Sequence, residues 1–208
     1  MKIKITEQDD KKLAFTLEDA DVSFANAMRR VMLVEVPTLA VEWVDFHENT
    51  SAMYDEVIAH RLGLIPITFD PKMYNLIEEC VCEGKGCSQC QVYFVVDKKG
   101  PCVIYSGDMK STDETVKPVD PGFPIVELLE GQNLKFDAIA QLGKGEAHIK
   151  WQASIAAYKY AKNNDTKFNF VVETVSGLEP AYIIQKAAEI IEAKGEEFKE
   201  QLKEVKSS

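Results

Sequence analysis

The sequence predicts an α+β protein in which two regular ends flank an irregular middle. Each end combines two short strands with a helix: strands at 2–6 and 13–17 precede a first helix, and strands at 153–160 and 167–174 precede a last one. Residues 52–150 hold all five cysteines and most of the prolines and glycines, which indicates loop-rich structure. The chain is therefore either two consecutive domains or one domain interrupted by an insertion. The pattern favours the insertion, because neither end is complete by itself.

The first helix is predicted over 23–36, with Ser23 as the N-cap residue. Its apolar residues recur at i, i+3, i+4 and i+7 and are Phe24, Ala27, Met28 and Val31. Arg29 and Arg30 flank that stripe, and Pro37 ends the helix because proline lacks the backbone N–H that a helix interior needs. A strand follows at 38–46. The next apolar stretch, 55–66, is explained poorly by either helical or strand periodicity.

The last helix is predicted from Pro180 to Lys203, a length of about 35 Å. The residues spaced for one face of this helix are Ile184, Ala187, Ile191, Phe198 and Leu202. Such a stripe usually packs on the protein's own sheet. This helix, however, is longer than a small sheet needs, so Phe198 and Leu202 pack either on the protein's own sheet or against a partner.

The middle of the chain contains the pattern C-x-C-x4-C-x2-C. Its four members are Cys80, Cys82, Cys87 and Cys90. Closely spaced cysteine pairs on a glycine-containing knuckle suit a structural Zn²⁺, which binds four thiolates as a tetrahedron. Disulfide pairing of the same residues is the alternative. The fifth cysteine, Cys102, is predicted to be a small buried apolar residue and not a ligand.

Composition excludes several classes of function. The formal net charge of −10 disfavours non-specific DNA binding by the whole surface, since phosphate contacts need Lys and Arg. No run of about 18 apolar residues predicts a membrane span, and the first twelve residues show no secretory signal, so a cytoplasmic location is expected. His47, His60 and His148 form no recognisable catalytic pattern with a nucleophile. A small redox enzyme using Cys87 and Cys90 is a weak rival, because two further cysteines stand close by.

Four segments resemble the D subunit of archaeal RNA polymerase, whose family is related to the eukaryotic third-largest subunit and to bacterial alpha. These segments are SFANAMRRVMLVEVPTLAVEWV, NTSAMYDEVIAHRLGLIPI, PIVELLEGQNLKFDAIAQLGKGEAHIKW and FNFVVETVSGLEPAYIIQKAAEII. The resemblance implies a two-layer dimerisation domain of sheet and helices made of 1–46 and 153–208. It also implies an inserted, mostly β domain at 47–152. In this family the insertion can carry a zinc-binding cysteine cluster. Some archaeal members hold iron–sulfur clusters in a segment before the final strand and helix. No cysteine lies at that place in this sequence, so no iron–sulfur cluster is expected here.

The resemblance also implies a role and a set of partners. The chain is expected to be a non-catalytic polymerase component that pairs with the L subunit and forms the platform on which the large subunits assemble. The N and P subunits would attach to it, and direct DNA contact would be small. A freestanding metal-knuckle protein-binding module is the alternative function. The predicted partner-binding residues are Phe24, Met28, Arg29, Arg30, Val31, His60, Arg61, Ile184, Ile191, Phe198 and Leu202.

Overall fold

The computed structural model of the protein describes residues 1–162 and 164–207, so Asn163 of the predicted turn at 163–165 lies outside the described residues. Within them, the strands are β1 (Lys2–Gln8), β2 (Lys12–Glu18), β3 (Thr38–Asn49), β4 (Ile67–Thr68), β5 (Gln91–Lys99), β6 (Cys102–Tyr105), β7 (Lys110–Ser111), β8 (Lys117–Pro118), β9 (Pro124–Leu128), β10 (Asn133–Gly143), β11 (Ser154–Ala161) and β12 (Asn164–Thr174). The helices are α1 (Val22–Val34), α2 (Asp55–Gly63) and α3 (Pro180–Ser207). The predicted α+β class is confirmed.

The chain divides into two compact units. Unit 1 is Met1–Val36 together with Lys144–Ser208, and unit 2 is Pro37–Gly143. Compared with the predicted boundaries, residues 37–46 fall in the second unit and residues 144–152 in the first. The reason is pairing: Thr38 lies opposite Gly143 at the end of the long β3–β10 ladder, whereas Glu146 donates its backbone N–H to the Val34 carbonyl at 3.0 Å, beside the end of α1.

Unit 1 is a four-stranded antiparallel sheet in the order β1-β2-β12-β11. Its core face contains Phe15 of β2 and Phe170 of β12, which lie opposite each other with their rings stacked at 4.9 Å. Helix α1 packs against β11 and β12, and α3 packs against β2, β12 and α1. A layer of helices thus covers one face of a sheet, as binary patterning of the two ends predicts.

Helix α1 begins at Val22, one residue before the predicted N-cap Ser23, so the Ser23 prediction is wrong. The flanking residue is Asp21, whose carbonyl accepts the Ala25 N–H at 3.0 Å and closes the first turn. The buried side chains of the helix are Ala25, Met28, Val31 and Met32. At the far end, the buried Ser154 hydroxyl donates to the Met32 carbonyl at 2.8 Å and ties α1 to β11.

Unit 2 is built on a second antiparallel sheet, in the order β3-β10-β5-β7, with two short ladders beside it. Strand β10 lies in the middle, and its Phe136 and the Phe94 of β5 are fully buried. Helix α2 packs against β3 and β9. Periodicity explained this helix poorly because it is only nine residues long and buries just Ile58, Leu62 and Gly63. Acidic residues in its first turn and basic ones in its last suit the helix dipole.

Candidate metal centre and partner surfaces

The segment between β4 and β5 brings four thiols together, and we call these residues the cysteine cluster. Its members are Cys80, Cys82, Cys87 and Cys90. Tight turns place them: the Glu83 N–H donates to the Cys80 carbonyl at 3.0 Å, and the Gln91 N–H donates to the Cys87 carbonyl at 2.9 Å. Gly84 has a φ of 80°, a left-handed conformation that glycine adopts without the strain of a side chain.

The sulfur atoms of the cysteine cluster have the spacing of a tetrahedral metal site. The Sγ–Sγ distances are 3.5 Å for Cys80–Cys87, 3.6 Å for Cys82–Cys90 and 3.8 Å for Cys87–Cys90, and all four atoms lie within 4.8 Å of one another. Four sulfurs bound to Zn²⁺ at about 2.3 Å stand about 3.8 Å apart. A disulfide needs about 2.05 Å, and all five cysteines are free thiols. The cluster therefore fits a structural zinc and shows no disulfide.

Burial and mutual hydrogen bonding set the acidity of these thiols. Burial raises the pKa of Cys90 to about 12. Burial acts in the same direction on Cys82, but hydrogen bonds with the thiols of Cys80 and Cys90 outweigh it and lower the pKa of Cys82 to about 7. A divalent cation that binds thiolates supplies positive charge which displaces the remaining protons. With four sulfur ligands no coordination position is left for a substrate, so the chemistry that fits is structural.

The segment before the cluster is fastened to the rest of unit 2 by a buried tyrosine. The Tyr74 hydroxyl donates to Asp113 Oδ2 at 2.5 Å, and the Tyr74 ring meets Phe69 edge-on at 6.4 Å. This hydrogen bond is the largest influence that lowers the pKa of Asp113, and burial followed by the same bond raises the pKa of Tyr74. Next to it, the Asn75 N–H donates to the Gln89 carbonyl at 2.8 Å, which joins the two sides of the cysteine loop.

Other candidate ligands lie outside this centre. Cys102 is half-buried in β6, more exposed than predicted, and its thiol donates to the Lys99 carbonyl at 3.7 Å. His47 pairs with Asp137 at 2.9 Å, and the ring of His148 accepts the Lys150 N–H at 3.1 Å. Within residues 1–162 and 164–207, the cysteine cluster is the one group of three or more His, Cys, Asp or Glu side chains placed to hold a metal ion.

The end of α3 carries an apolar stripe that its own unit leaves uncovered. Phe198 is 63% exposed and Leu202 is 44% exposed. Ile184 and Ile191, nearer the sheet, are half-buried. Val205 is exposed as well and continues the stripe three residues after Leu202. Val205 is not among the predicted partner-binding residues, although its i+3 spacing from Leu202 places it on the same face of the helix.

The predicted partner-binding residues of α1 divide into buried and accessible ones. Met28 and Val31 lie in the core of unit 1, and Phe24 is half-buried. Arg30 is exposed, while Arg29 is half-buried and donates to Asn26 Oδ1 at 3.0 Å. Met28 and Val31 therefore stabilise unit 1 and are not accessible to a partner. Phe24, Arg29 and Arg30 are the predicted residues of α1 that a partner can contact.

In unit 2, His60 and Arg61 are both exposed at the end of α2. Arg61 is also held in place, because its Nη1 donates to the Ile125 carbonyl of β9 at 2.7 Å. Two apolar side chains outside the predicted set are also exposed here, Val57 on the same helix and Leu64 at its C-cap. Basic and apolar groups thus share one accessible surface. Among the described residues, no helix is long and apolar enough to cross a membrane.

These features define a class of α+β chain in which a sheet-and-helix unit is interrupted by a second unit bearing a four-cysteine cluster. The family model described as the RNA polymerase Rpb3/RpoA insert domain matches residues 44–181, so this chain belongs to that family.

Among its relatives is the DNA-directed RNA polymerase subunit Rpo3 of Methanosphaera stadtmanae, 47% identical over 166 residues, which cover 77% of this chain and 61% of the relative. The Rpo3 proteins of Methanothermobacter thermautotrophicus and Pyrococcus furiosus are each 45% identical, over 164 and 160 residues. These matches cover 77% of this chain, and 62% and 59% of the respective relatives. The chain thus spans about three fifths of the length of the curated relatives it matches.

Proposed function

We propose that the chain is a non-catalytic assembly subunit of an archaeal DNA-directed RNA polymerase. It pairs with the smaller homologous L subunit, and the pair forms the platform on which the large catalytic subunits assemble, with the N and P subunits attached. The complex acts in the cytoplasm, and this chain makes little or no direct contact with DNA. Its net charge of −10 fits that last point, since contacts to phosphate depend on basic side chains.

One observation carries the proposal: in a chain similar to polymerase subunits, the C-terminal half of α3 is uncovered and exposes an apolar stripe. From 192 to 203 every residue of the helix is exposed, Phe198 and Leu202 among them. Contiguous apolar surface of this kind marks an interaction site, and an obligate interface resembles a protein core divided between two chains. The partner is thus expected to cover the stripe with apolar side chains of its own.

The cysteine cluster is proposed to hold one structural zinc within unit 2. No iron–sulfur cluster is proposed. The basic side chains of both units, Arg29 and Arg30 in unit 1 and His60 and Arg61 in unit 2, are proposed to dock on carboxylates of the large subunits. Arginine suits this because its planar guanidinium binds a carboxylate through two parallel hydrogen bonds.

Size-exclusion chromatography with light scattering tests the proposal directly. The chain alone should self-associate or precipitate, whereas co-expression with the L subunit should give a one-to-one heterodimer. Neither preparation should show nucleotide polymerisation or hydrolase activity. A soluble, stable monomer that ignores the L subunit, or a turnover that follows the chain through several columns, would overturn the assembly function.

The second candidate is a freestanding binding module centred on the metal knuckle. One observation favours it: Val81, between two cysteines of the cluster, is 86% exposed, which gives the knuckle an apolar tip. One experiment distinguishes the two functions, because a freestanding module would bind its partner through Val81 and not through α3. Val81→Asp should leave the heterodimer with the L subunit unchanged if the chain has the assembly function.

A further inference from the structure

The sheet of unit 2 carries a row of apolar side chains on its outer face, the face turned away from the core. Ile139 of β10 lies opposite Trp43 of β3 on one side and opposite Tyr93 of β5 on the other. Ala138 and Ala140 on either side of Ile139 are fully buried, so Ile139 points outward by the alternation of a strand. Trp43 is 63% exposed and Tyr93 is 42% exposed. We call Trp43, Ile139 and Tyr93 the apolar row; it crosses three strands, about 10 Å.

Two carboxylates stand opposite each other beside this row, and we call them the acidic pair. Asp45 of β3 lies directly opposite Asp137 of β10, two residues and about 7 Å along the strands from Trp43 and Ile139. Like charges in directly opposite positions destabilise a sheet. His47 pairs with Asp137 at 2.9 Å. Among the residues that the structure describes, none forms a hydrogen bond or an ion pair with the carboxylate of Asp45. The acidic pair therefore lacks a cation on the Asp45 side.

The charge of the whole outer face limits what can cover it. Beyond the acidic pair, the face carries Glu48 and Asp97 against Lys110 and Lys135. Lys135 is already paired with Asp97 at 2.9 Å. A nucleic acid would bring phosphates to this acidic surface, and a second copy of the chain would bring the same carboxylates, so like charges oppose both. The complementary occupant is a protein segment with a cationic side chain next to an apolar one.

We propose that the outer face of this sheet binds an arginine-bearing segment of another subunit of the assembly, with the guanidinium between the acidic pair and the ring of Trp43. A guanidinium is planar, so it stacks on an aromatic ring and also binds a carboxylate through two parallel hydrogen bonds, whereas a lysine ammonium acts as a point charge. Exposed Trp and Tyr side chains are the anchors that contribute most to binding at interfaces. The inference rests on the proposed assembly function for the source of the segment, and it uses none of the predicted partner-binding residues.

Packing between strands is the simpler explanation of the apolar row, because cross-strand pairs of large side chains stabilise a sheet by themselves. That explanation accounts for the contacts of Ile139 with its two neighbours. It does not account for the acidic pair, whose repulsion opposes the same sheet. A binding site explains both, since the bound cation offsets the repulsion and the bound segment removes the exposed rings from water.

Photocrosslinking in the polymerase reconstituted from purified subunits identifies the occupant. Tyr93 is replaced by p-benzoylphenylalanine, and Glu127, which is exposed on β9 of the same unit, is replaced in a matched control. We expect the Tyr93 variant to cross-link to a peptide of another subunit that contains arginine, and the Glu127 variant not to label that peptide. A cross-link to DNA, to a second copy of this chain or to a peptide without arginine would overturn the inference, as would no cross-link in an assembled polymerase. In each case the proposed function would still stand. If the chain does not enter the polymerase, both are wrong.

Substitutions separate binding from packing. Asp45→Asn and Trp43→Thr should each reduce the yield of the Tyr93 cross-link at least fivefold, whereas Asp97→Asn should change it less than twofold, because that carboxylate is engaged by Lys135. Asp45→Asn should not lower the melting temperature of the isolated chain, since it removes a repulsion between strands. An unchanged yield in either Asp45→Asn or Trp43→Thr would overturn the inference and leave strand packing as the explanation of the row.

Discussion

The sulfur atoms of the cysteine cluster give the first prediction at the residue scale. The purified chain should carry about one zinc per molecule, measured by inductively coupled plasma mass spectrometry. Cys82→Ser and Cys90→Ser should each lose most of that metal, because either substitution removes one of the four sulfur ligands. Cys102→Ser is the matched control and should keep the metal, since its sulfur lies against the Lys99 carbonyl outside the cluster. Equal metal content in all three variants would contradict the assignment.

The hydrogen bond from Tyr74 to Asp113 gives a second prediction, which depends on pH. Tyr74→Phe should lower the free energy of unfolding of unit 2 by about 1–2 kcal/mol at pH 7, because a buried tyrosine loses a bond to a charged acceptor. Tyr93→Phe is the control, since the exposed Tyr93 makes only a 3.5 Å contact with Gln91. Urea unfolding of the purified chain, followed by fluorescence, measures both variants.

The sign of the pH effect follows from the direction of the Asp113 shift. The pKa of this carboxyl is lowered in the folded chain, chiefly by Tyr74, so its contribution to stability is present above the ordinary aspartate pKa of about 4. As the pH falls through the folded pKa, the carboxylate takes up a proton and the contribution is lost. The difference between wild type and Tyr74→Phe should therefore shrink below about pH 4. A constant difference from pH 7 to pH 3 would show that packing, and not this bond, explains the cost.

At the scale of the secondary-structure element, the exposed C-terminal half of α3 gives a prediction about the partner, because its apolar stripe is not buried within unit 1. Phe198→Asp and Leu202→Asp should each weaken the heterodimer with the L subunit at least a hundredfold, because each buries an unpaired carboxylate. Gln201→Asp places the same group in the same turn of the helix, at an exposed residue outside the stripe, and should have little effect. Isothermal titration calorimetry gives the three affinities. If Gln201→Asp costs as much as Leu202→Asp, added charge and not the stripe accounts for the loss.

Helix α1 supports a different prediction, because its buried side stabilises unit 1 while its arginines remain accessible. Replacing Arg29 and Arg30 by Ala should leave the heterodimer intact and reduce capture of the large subunits about tenfold or more in a pull-down with the tagged heterodimer. Lys162→Ala, which changes another exposed cation of unit 1, is the control. Loss of the heterodimer in the arginine variant would show that Arg29 and Arg30 belong to the heterodimer interface and not to the surface that contacts the large subunits.

At the scale of the whole molecule, the chain consists of two units with separate cores, and this predicts that damage stays within one unit. Unit 1 closes its sheet without any residue from 37–143. Loss of the metal in Cys82→Ser should therefore increase hydrogen exchange across residues 75–95, while the exchange of α1, β11 and α3 and the affinity for the L subunit stay unchanged. Exchange that rises equally in both units would show that they unfold together.

The sequence by itself determined the α+β class, most of the strands and which four cysteines come together. Strong period-two and period-3.6 patterns reveal elements such as β10 and α3, because apolar residues recur on one face of each element whether or not that face is buried. Cysteine spacing is equally local, since a knuckle of eleven residues can be read without knowing what it packs on. The family was also recognisable from segments such as NTSAMYDEVIAHRLGLIPI, which contains His60 and Arg61, and the family match to residues 44–181 confirms it.

Only the tertiary structure decided which apolar residues are buried in the core and which remain exposed to solvent. Met28 and Phe198 belong to equally regular stripes, yet one is buried beneath a sheet and the other stands in solvent, because burial depends on where the sheet ends and not on helical spacing. Ile3 and Ile5 show the same limit, since they alternate along β1 in the way typical of a covered face and yet both are exposed. The unit boundaries differ from the predicted ones for a related reason. The long β3–β10 ladder assigns 38–46 to unit 2, and strand pairing between distant segments cannot be read from local sequence patterns.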